Sequence, residues 1–160
     1  IDYKGPVYLR FGRLAVPVYN DPATYKFEMG KGVTLREGKD LTIVATGLMV
    51  WEAVQAAVVL AREGISARVI NIHTIKPLDE ELICKAAAET GKILTVEEHS
   101  VIGGLGSAVC DAVCAKVPCV VKKIGVEDTF GCSGPAAELL RRYGLTAEHI
   151  IEAARTLARR

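Results

Sequence analysis

From Leu41 onward, the sequence alternates between short runs of apolar residues and helical patterns, and this alternation constrains the fold more than any other feature. The apolar runs predict strands at 41–46, 67–72, 92–98 and 119–126. Helical patterns follow at 48–63, after Asp79, at 106–117, after Ser133 or Gly134, and after Thr146. Alternating units of this kind are typical of a mostly parallel sheet with helices on both faces. We therefore predict an α/β fold with three layers (helix, sheet and helix) and a sheet of about five strands.

The residues before Leu41 predict one edge of the sheet and a domain boundary. Four turn-forming residues separate the runs at 33–36 and 41–46, which predicts an antiparallel hairpin and one antiparallel edge strand. A further strand is predicted at 7–11, and the glycines and prolines after it are typical of a linker. Ile1 is interpreted as a cut point in a longer chain, because no initiating Met or signal-peptide pattern is present. The division we predict is the end of a preceding domain at 1–13, a linker at 14–32 and the main domain at 33–160.

The balance of charge argues against several classes of partner. With 20 basic and 19 acidic residues the formal net charge is +1, so there is no electrostatic basis for binding nucleic acid or an anionic membrane. No apolar run approaches the ~20 residues of a transmembrane helix. Apolar residues nevertheless make up 50% of the chain, and the predicted helix at 48–63 is apolar almost all round. A helix of this kind is expected to be buried on nearly every side. Either a partner domain or subunit contributes to that burial, or the helix lies deep within the layers of its own domain.

The five cysteines are an odd number and lack the spacing of a disulfide framework. We interpret them as reduced thiols and predict a cytoplasmic location. Cys110 and Cys114 share one helix face and Cys119 is near, but a metal site needs another convincing ligand, and none is evident. These three cysteines are therefore interpreted as small buried hydrophobic residues, and no metal site is predicted.

The segment 95–109, TVEEHSVIGGLGSAV, joins a predicted strand to a predicted helix. It lies at the carboxyl edge of the sheet, where open parallel sheets bind ligands. Glu97 and Glu98 are neighbours on a strand and point to opposite faces, so they do not form an acid–base pair, whereas Glu97 and His99 can share a face. We expect these residues to close the strand and contact neighbouring loops. His73 also follows a predicted strand, without an evident catalytic partner.

The glycine-rich turn GGLGSA contains Gly103, Gly104 and Gly106 and precedes a predicted helix, as a dinucleotide fingerprint does. However, its spacing is not G-x-G-x-x-G, and it follows the third strand rather than the first. We expect a steric role, in which glycine permits a tight turn while Ser107 and Ala108 let the helix approach the sheet closely.

In five ordered segments, the chain resembles the C-terminal domain of transketolase. They are GPVYLRFGR, TIVATGLMVWEA, VINIHTIKPLDEE, VEEHSVIGGLGSAV and DTFGCSGPAAELLRRYGLTAEHI. The resemblance is closest to the split or short type, whose C-terminal half is a separate polypeptide. Deoxyxylulose phosphate synthase shares TIKPLDEE and a near copy of GGLGSAV, and the β subunits of 2-oxoacid dehydrogenases share the general domain. The YLRFGR segment and the last segment favour transketolase over both.

The resemblance implies an enzyme of the pentose phosphate pathway that moves a two-carbon ketol unit from a ketose phosphate to an aldose phosphate. It also implies thiamine diphosphate with Mg²⁺ or Ca²⁺, held between a diphosphate-binding and a pyrimidine-binding domain across a homodimer interface. Those domains, or an N-terminal subunit, would lie outside this sequence, with residues 1–13 ending the pyrimidine-binding domain. The family's C-terminal domain supplies no core catalytic residue, cofactor ligand or metal ligand. It has a structural, dimer-supporting or regulatory role, so we predict that the fragment alone is inactive.

The resemblance further assigns substrate-phosphate binding to Arg13, with Arg10 as its neighbour. Transketolases hold the substrate phosphate with an arginine at the end of the pyrimidine-binding domain, and an arginine fork suits phosphate oxygens. The surrounding residues depart from the S/T-R-Q context of long transketolases, and two solvated arginines beside a strand is the alternative interpretation. Two alternatives for the whole chain stay open: the C-terminal domain of deoxyxylulose phosphate synthase, and a free-standing module that binds a small anion at GGLGSA.

Overall fold

The computed structural model describes residues 3–159, and the interpretation of Ile1 as a cut point lies outside them. Its strands are β1 (Val33–Arg36), β2 (Leu41–Ala45), β3 (Ala67–Asn71), β4 (Lys92–Ser100) and β5 (Val120–Val126). Its helices are α1 (Met49–Arg62), α2 (Glu80–Thr90), α3 (Leu105–Lys116), α4 (Ala136–Arg142) and α5 (Ala147–Ala158). None of the helices found between residues 3 and 159 is long and apolar enough to cross a membrane.

The five strands form one mixed sheet in the order β1-β3-β2-β4-β5. Strands β2 to β5 run parallel to one another, and β1 is antiparallel to β3. This confirms the predicted α/β class and the antiparallel edge strand.

The predicted hairpin between β1 and β2 is wrong, because β1 pairs with β3 and places Val33 opposite Asn71. The connection between β1 and β2 crosses the start of β3. There the backbone N–H groups of Lys39 and Asp40 donate to the carbonyl of Ser66, and the Asp40 carboxylate accepts from the N–H of Ser66 at 2.6 Å. These bonds make the connection a crossover rather than a turn.

The helices form a layer on each face of the sheet. Helices α1 and α5 pack over one face, and α2 and α3 pack over the other. Adjacent residues of β2 show the alternation, since Ile43 belongs to the first core and Val44 to the second. Helix α1 is buried by the sheet and also by α5 of the same chain, whose Ile150, Ala154 and Leu157 belong to the first core. Of the two alternatives for this helix, the structure therefore favours burial within its own domain.

The first turns of α2 and α5 differ in whether a residue near in the sequence or a distant one caps them. The predicted cap at Asp79 is confirmed, because its carboxylate accepts from the N–H of Leu82 at 3.2 Å and also from the N–H of Gly32 at 2.9 Å. Thr146 occupies the predicted cap position of α5 without a side-chain bond to the helix backbone. The N–H of Ala147 instead donates to Glu52 of α1 at 2.7 Å.

Residues 3–18, which we call the arm, are exposed and have no regular secondary structure. The strand predicted at 7–11 is therefore wrong. Large apolar side chains of the arm stay exposed, with Tyr8 89%, Phe11 83% and Val18 88% accessible. The alternating pattern of a strand is present, but among residues 3–159 no strand pairs with it.

Candidate functional site

The polar candidates gather at the carboxyl edge of the sheet. Because β2, β3, β4 and β5 are parallel, the loops after them emerge at this edge. Glu97, Glu98 and His99 end β4 here, and His73 follows β3. The arm meets the edge where Arg10 contacts Glu98.

Glu97 is fully buried, and its carboxylate caps α3. One oxygen accepts from the N–H of Leu105 at 2.7 Å and the other from the N–H of Gly106 at 2.8 Å. The first N–H groups of a helix lack partners within it and carry partial positive charge, so a carboxylate satisfies both needs. The expected contact between the strand end and the neighbouring turn is confirmed.

Two glycines of the turn allow close packing around this carboxylate and the strand beside it. A Cβ on Gly104 would overlap the Glu97 carboxylate, and a Cβ on Gly106 would lie 2.8 Å from the Thr95 hydroxyl oxygen. Gly103 has φ +77°, which favours glycine. The predicted steric role is therefore confirmed, but the residues that allow the close approach are Gly104 and Gly106 rather than Ser107 and Ala108. Ser107 instead accepts from the N–H of Gly103 at 2.9 Å through its hydroxyl.

This arrangement does not fit a diphosphate or a nucleotide at GGLGSA. The amides that would bind phosphate already hold the Glu97 carboxylate, which would repel a second anion. The thiamine diphosphate implied by the resemblance therefore finds no ligands at this turn, and the small-anion module loses its proposed site. Among the described residues, no three Cys, His, Asp or Glu side chains are grouped to hold a metal ion.

The other edge residues have separate environments. His99 is exposed, with Nδ1 3.2 Å from the carbonyl oxygen of Ser100. Glu97 is buried, so the two do not form an acid–base pair. Of the arginines, Arg10 donates from Nη2 to the Glu98 carbonyl at 3.2 Å, and Arg13 is exposed farther along the arm. Their assignment to phosphate stays a prediction.

His73 has an aromatic partner that sequence reasoning missed. The Phe27 ring centroid lies 4.7 Å from that of His73, and His73 Nδ1 is 2.8 Å from the Thr74 hydroxyl. Burial lowers the pKa of His73 below its ordinary value. An aromatic residue in a linker 46 positions away carries no local signal, so only the fold reveals this pair.

All five cysteines are free thiols, as predicted. Cys84, Cys110 and Cys119 are half-buried, and burial raises the pKa of the Cys110 and Cys119 thiols. Cys114 and Cys132 are exposed, so the interpretation as a buried hydrophobic residue is wrong for Cys114.

Comparisons with known proteins agree with this architecture. A family model described as the transketolase C-terminal domain matches residues 30–150. The chain is 45% identical over 158 residues to 6-deoxy-6-sulfo-D-fructose transketolase subunit SqwH of Clostridium sp. (strain MSTE9), covering 99% of this chain and 49% of that protein. It is 46% identical over 154 residues to an apulose-4-phosphate transketolase subunit of Phocaeicola vulgatus, covering 96% and 49%. The chain thus spans about half the length of these curated relatives.

Other matches extend the comparison to a second enzyme and to solved structures. The 1-deoxy-D-xylulose-5-phosphate synthase of Heliobacterium modesticaldum is 44% identical over 160 residues, which cover 99% of this chain and 25% of that protein. A solved structure titled "Split gene transketolase, inactive beta4 tetramer" superposes with a TM-score of 0.93 at 48% identity, covering 98% of this chain and 51% of that one. Its close superposition confirms the three-layer fold expected from the sequence.

Proposed function

The chain belongs to the transketolase C-terminal domain family, and we propose that it is the C-terminal domain of a thiamine diphosphate-dependent transketolase. In this proposal the complete enzyme moves a two-carbon ketol unit between sugar phosphates in the cytoplasm. The observation that carries it is similarity along nearly the whole chain to two transketolase subunits, of which the chain spans about half. The rest of the enzyme then comes from further domains or from an N-terminal subunit.

The domain's own role is to support the catalytic domains and their dimer. Exposed apolar side chains of the arm support this, because they leave apolar surface that a partner domain can bury. The most exposed of them are Tyr8, Leu9, Phe11 and Val18. The capped turn at GGLGSA supports placing the cofactor and its Mg²⁺ or Ca²⁺ in the partner domains.

Arg13, with Arg10 beside it, binds the substrate phosphate in this proposal. Both arginines lie on the arm, which leads away from the family domain matched at 30–150. A guanidinium can donate two parallel hydrogen bonds to a phosphate and holds its charge at every physiological pH. Replacement of Arg13 by Ala in the complete enzyme should raise KM for phosphorylated substrates, and an unchanged KM would remove the assignment.

The proposal is tested by a coupled ketol-transfer assay. The 160-residue chain alone should show no turnover. The complete protein, or the chain combined with its missing domains, should transfer ketol units when thiamine diphosphate and Mg²⁺ are added. Turnover by the chain alone would contradict the supporting role. No transfer by the complete, cofactor-loaded protein with any ketose phosphate would contradict the enzyme class.

A second candidate is the C-terminal domain of 1-deoxyxylulose-5-phosphate synthase. It is favoured by the 44% identity to the Heliobacterium enzyme across 99% of this chain. The complete protein assayed with pyruvate and glyceraldehyde phosphate separates the two, because only the synthase releases carbon dioxide while joining these substrates.

A further inference from the structure

We propose that Glu97 is a positioning residue that aims Arg10 at the substrate phosphate, through the backbone at the end of β4. The inference rests on the proposed function for its ligand, the phosphate group of a sugar. In this inference the C-terminal domain does more than support the catalytic domains, because it also orients one of the arginines that bind the substrate.

Strand β4 is irregular near its carboxyl end. Between Val96 and Ser100, β4 advances four residues while β5 advances two, from Ile124 to Val126. The extra residues form a bulge that interrupts the ladder, so backbone groups there are released from strand pairing. The Glu98 carbonyl lies within this bulge and accepts from Nη2 of Arg10 at 3.2 Å.

The bulge is held in place from both sides. On one side, the buried Glu97 carboxylate fastens it to the first amides of α3. On the other side stands Gly125, where a Cβ would lie 2.7 Å from the His99 carbonyl oxygen and 3.3 Å from Cγ of Glu97. The position of the Glu98 carbonyl therefore depends on the Glu97 side chain and on the absence of one at Gly125.

The contact between Arg10 and Glu98 leaves the guanidinium charged and partly free. A carbonyl orients the guanidinium without neutralising it, whereas a carboxylate partner would compete with phosphate. A guanidinium has five N–H donors, and the Glu98 carbonyl engages one nitrogen, so the charge and a fork of donors remain for an anion. This is the arrangement expected of an oriented anion ligand rather than of a structural ion pair.

The test compares Glu97→Gln with Glu52→Gln in the complete protein. Glu52 is a matched control, because its carboxylate also accepts from the first amide of a distant helix, at 2.7 Å from the nitrogen of Ala147. We expect Glu97→Gln to raise KM for a phosphorylated aldose by about threefold to tenfold, the range of one oriented hydrogen bond. The kcat, and KM for the unphosphorylated counterpart, should stay unchanged, and Glu52→Gln should leave the ratio of the two KM values unaltered.

A double-mutant cycle separates positioning from general damage. If Glu97 acts through Arg10, Glu97→Gln should add little to the KM effect of Arg10→Met. Additive effects, or an equal loss with unphosphorylated substrate, would overturn the inference. If Glu97→Gln fails to fold, Gly125→Ala perturbs the same bulge from β5 and takes its place.

A readout without activity keeps this inference distinct from the proposed function. Hydrogen exchange of residues 7–13 in the complete protein should be faster in Glu97→Gln than in Glu52→Gln, because the contact between Arg10 and Glu98 is lost. Equal exchange would overturn the positioning role. Faster exchange together with a normal KM for Arg10→Met would show that Glu97 holds the arm without aiming Arg10 at phosphate, and it would overturn the inference while leaving the enzyme class of the proposed function intact.

Discussion

The Glu97 carboxylate accepts a hydrogen bond from the backbone N–H of Gly106 at 2.8 Å, although the two residues are nine positions apart and belong to different elements. This bond shows the structural role of residues 97–106, the polar and glycine-rich connection between β4 and α3, which we call the corner. The negative charge that would compete with a nucleotide is part of the corner itself. The corner therefore joins β4 to α3 and leaves the bulged end of β4 available to the arm.

Replacement of Glu97 by Gln should destabilise the protein. The amide NH₂ of glutamine would face a backbone N–H in a fully buried position, and the charge-assisted bonds would be lost. We expect the free energy of unfolding to fall by about 2–4 kcal/mol. Urea denaturation followed by circular dichroism measures it. The neighbouring Glu98→Gln is the control, with a change within about 0.5 kcal/mol; equal losses would contradict the capping role.

A methyl group at Gly104 should disturb the same corner. The new Cβ would overlap the Glu97 carboxylate and lie 2.9 Å from the Ser100 carbonyl oxygen. We expect Gly104→Ala to lower the free energy of unfolding by about 1–3 kcal/mol. Gly131→Ala is the matched control, because a Cβ there has no atom within 4 Å and its φ is not positive. The midpoint of thermal unfolding of Gly131→Ala should lie near that of the wild type. A Gly104→Ala variant as stable as the wild type would count against the packing argument.

The lowered pKa of His73 predicts a pH dependence of stability. Its cause is burial, to which the Phe27 ring contributes. The unfolded chain binds this proton more readily than the folded protein does. The contribution of neutral His73 to the free energy of unfolding is therefore complete above about pH 6.5, and it is lost as the pH falls toward the pKa of His73 in the folded state. NMR titration should give a His73 pKa below the ordinary value, and Phe27→Ala should raise it. Phe11→Ala, in the exposed arm, should leave it unchanged, and a His73 pKa indifferent to Phe27 would exclude the ring as its cause.

Thiol labelling should follow exposure and protonation. Cys114 and Cys132 are exposed and should react first with a maleimide at about pH 7. Cys110 and Cys119 should react slowly, because burial raises the pKa of their thiols and leaves little thiolate. Raising the pH to about 9 should speed their reaction. Peptide mass spectrometry measures the order, and early labelling of Cys110 would show that burial does not protect its thiol.

Features that depend on neighbouring residues were predictable from the sequence. Asp79 could be identified as a helix cap because its partner, the N–H of Leu82, is three residues away. The partner of β1 could not be predicted, because β2 is the next strand in the sequence but is paired with β3 on one side and β4 on the other, which leaves only β3 with a free edge for β1. The strand predicted at 7–11 has the right pattern and no partner among the described residues, which is why pattern alone misled there.

The sequence by itself determined the alternation of elements, the three-layer class and the antiparallel edge strand. It did so because periodicity and capping act between residues a few positions apart. Only the tertiary structure decided that Glu97 caps α3, that Phe27 covers His73 and that Arg10 reaches Glu98. The first of these contacts spans eight or nine positions and the last 88, and each depends on which polar groups and ring faces remain free once the sheet and its helices have packed.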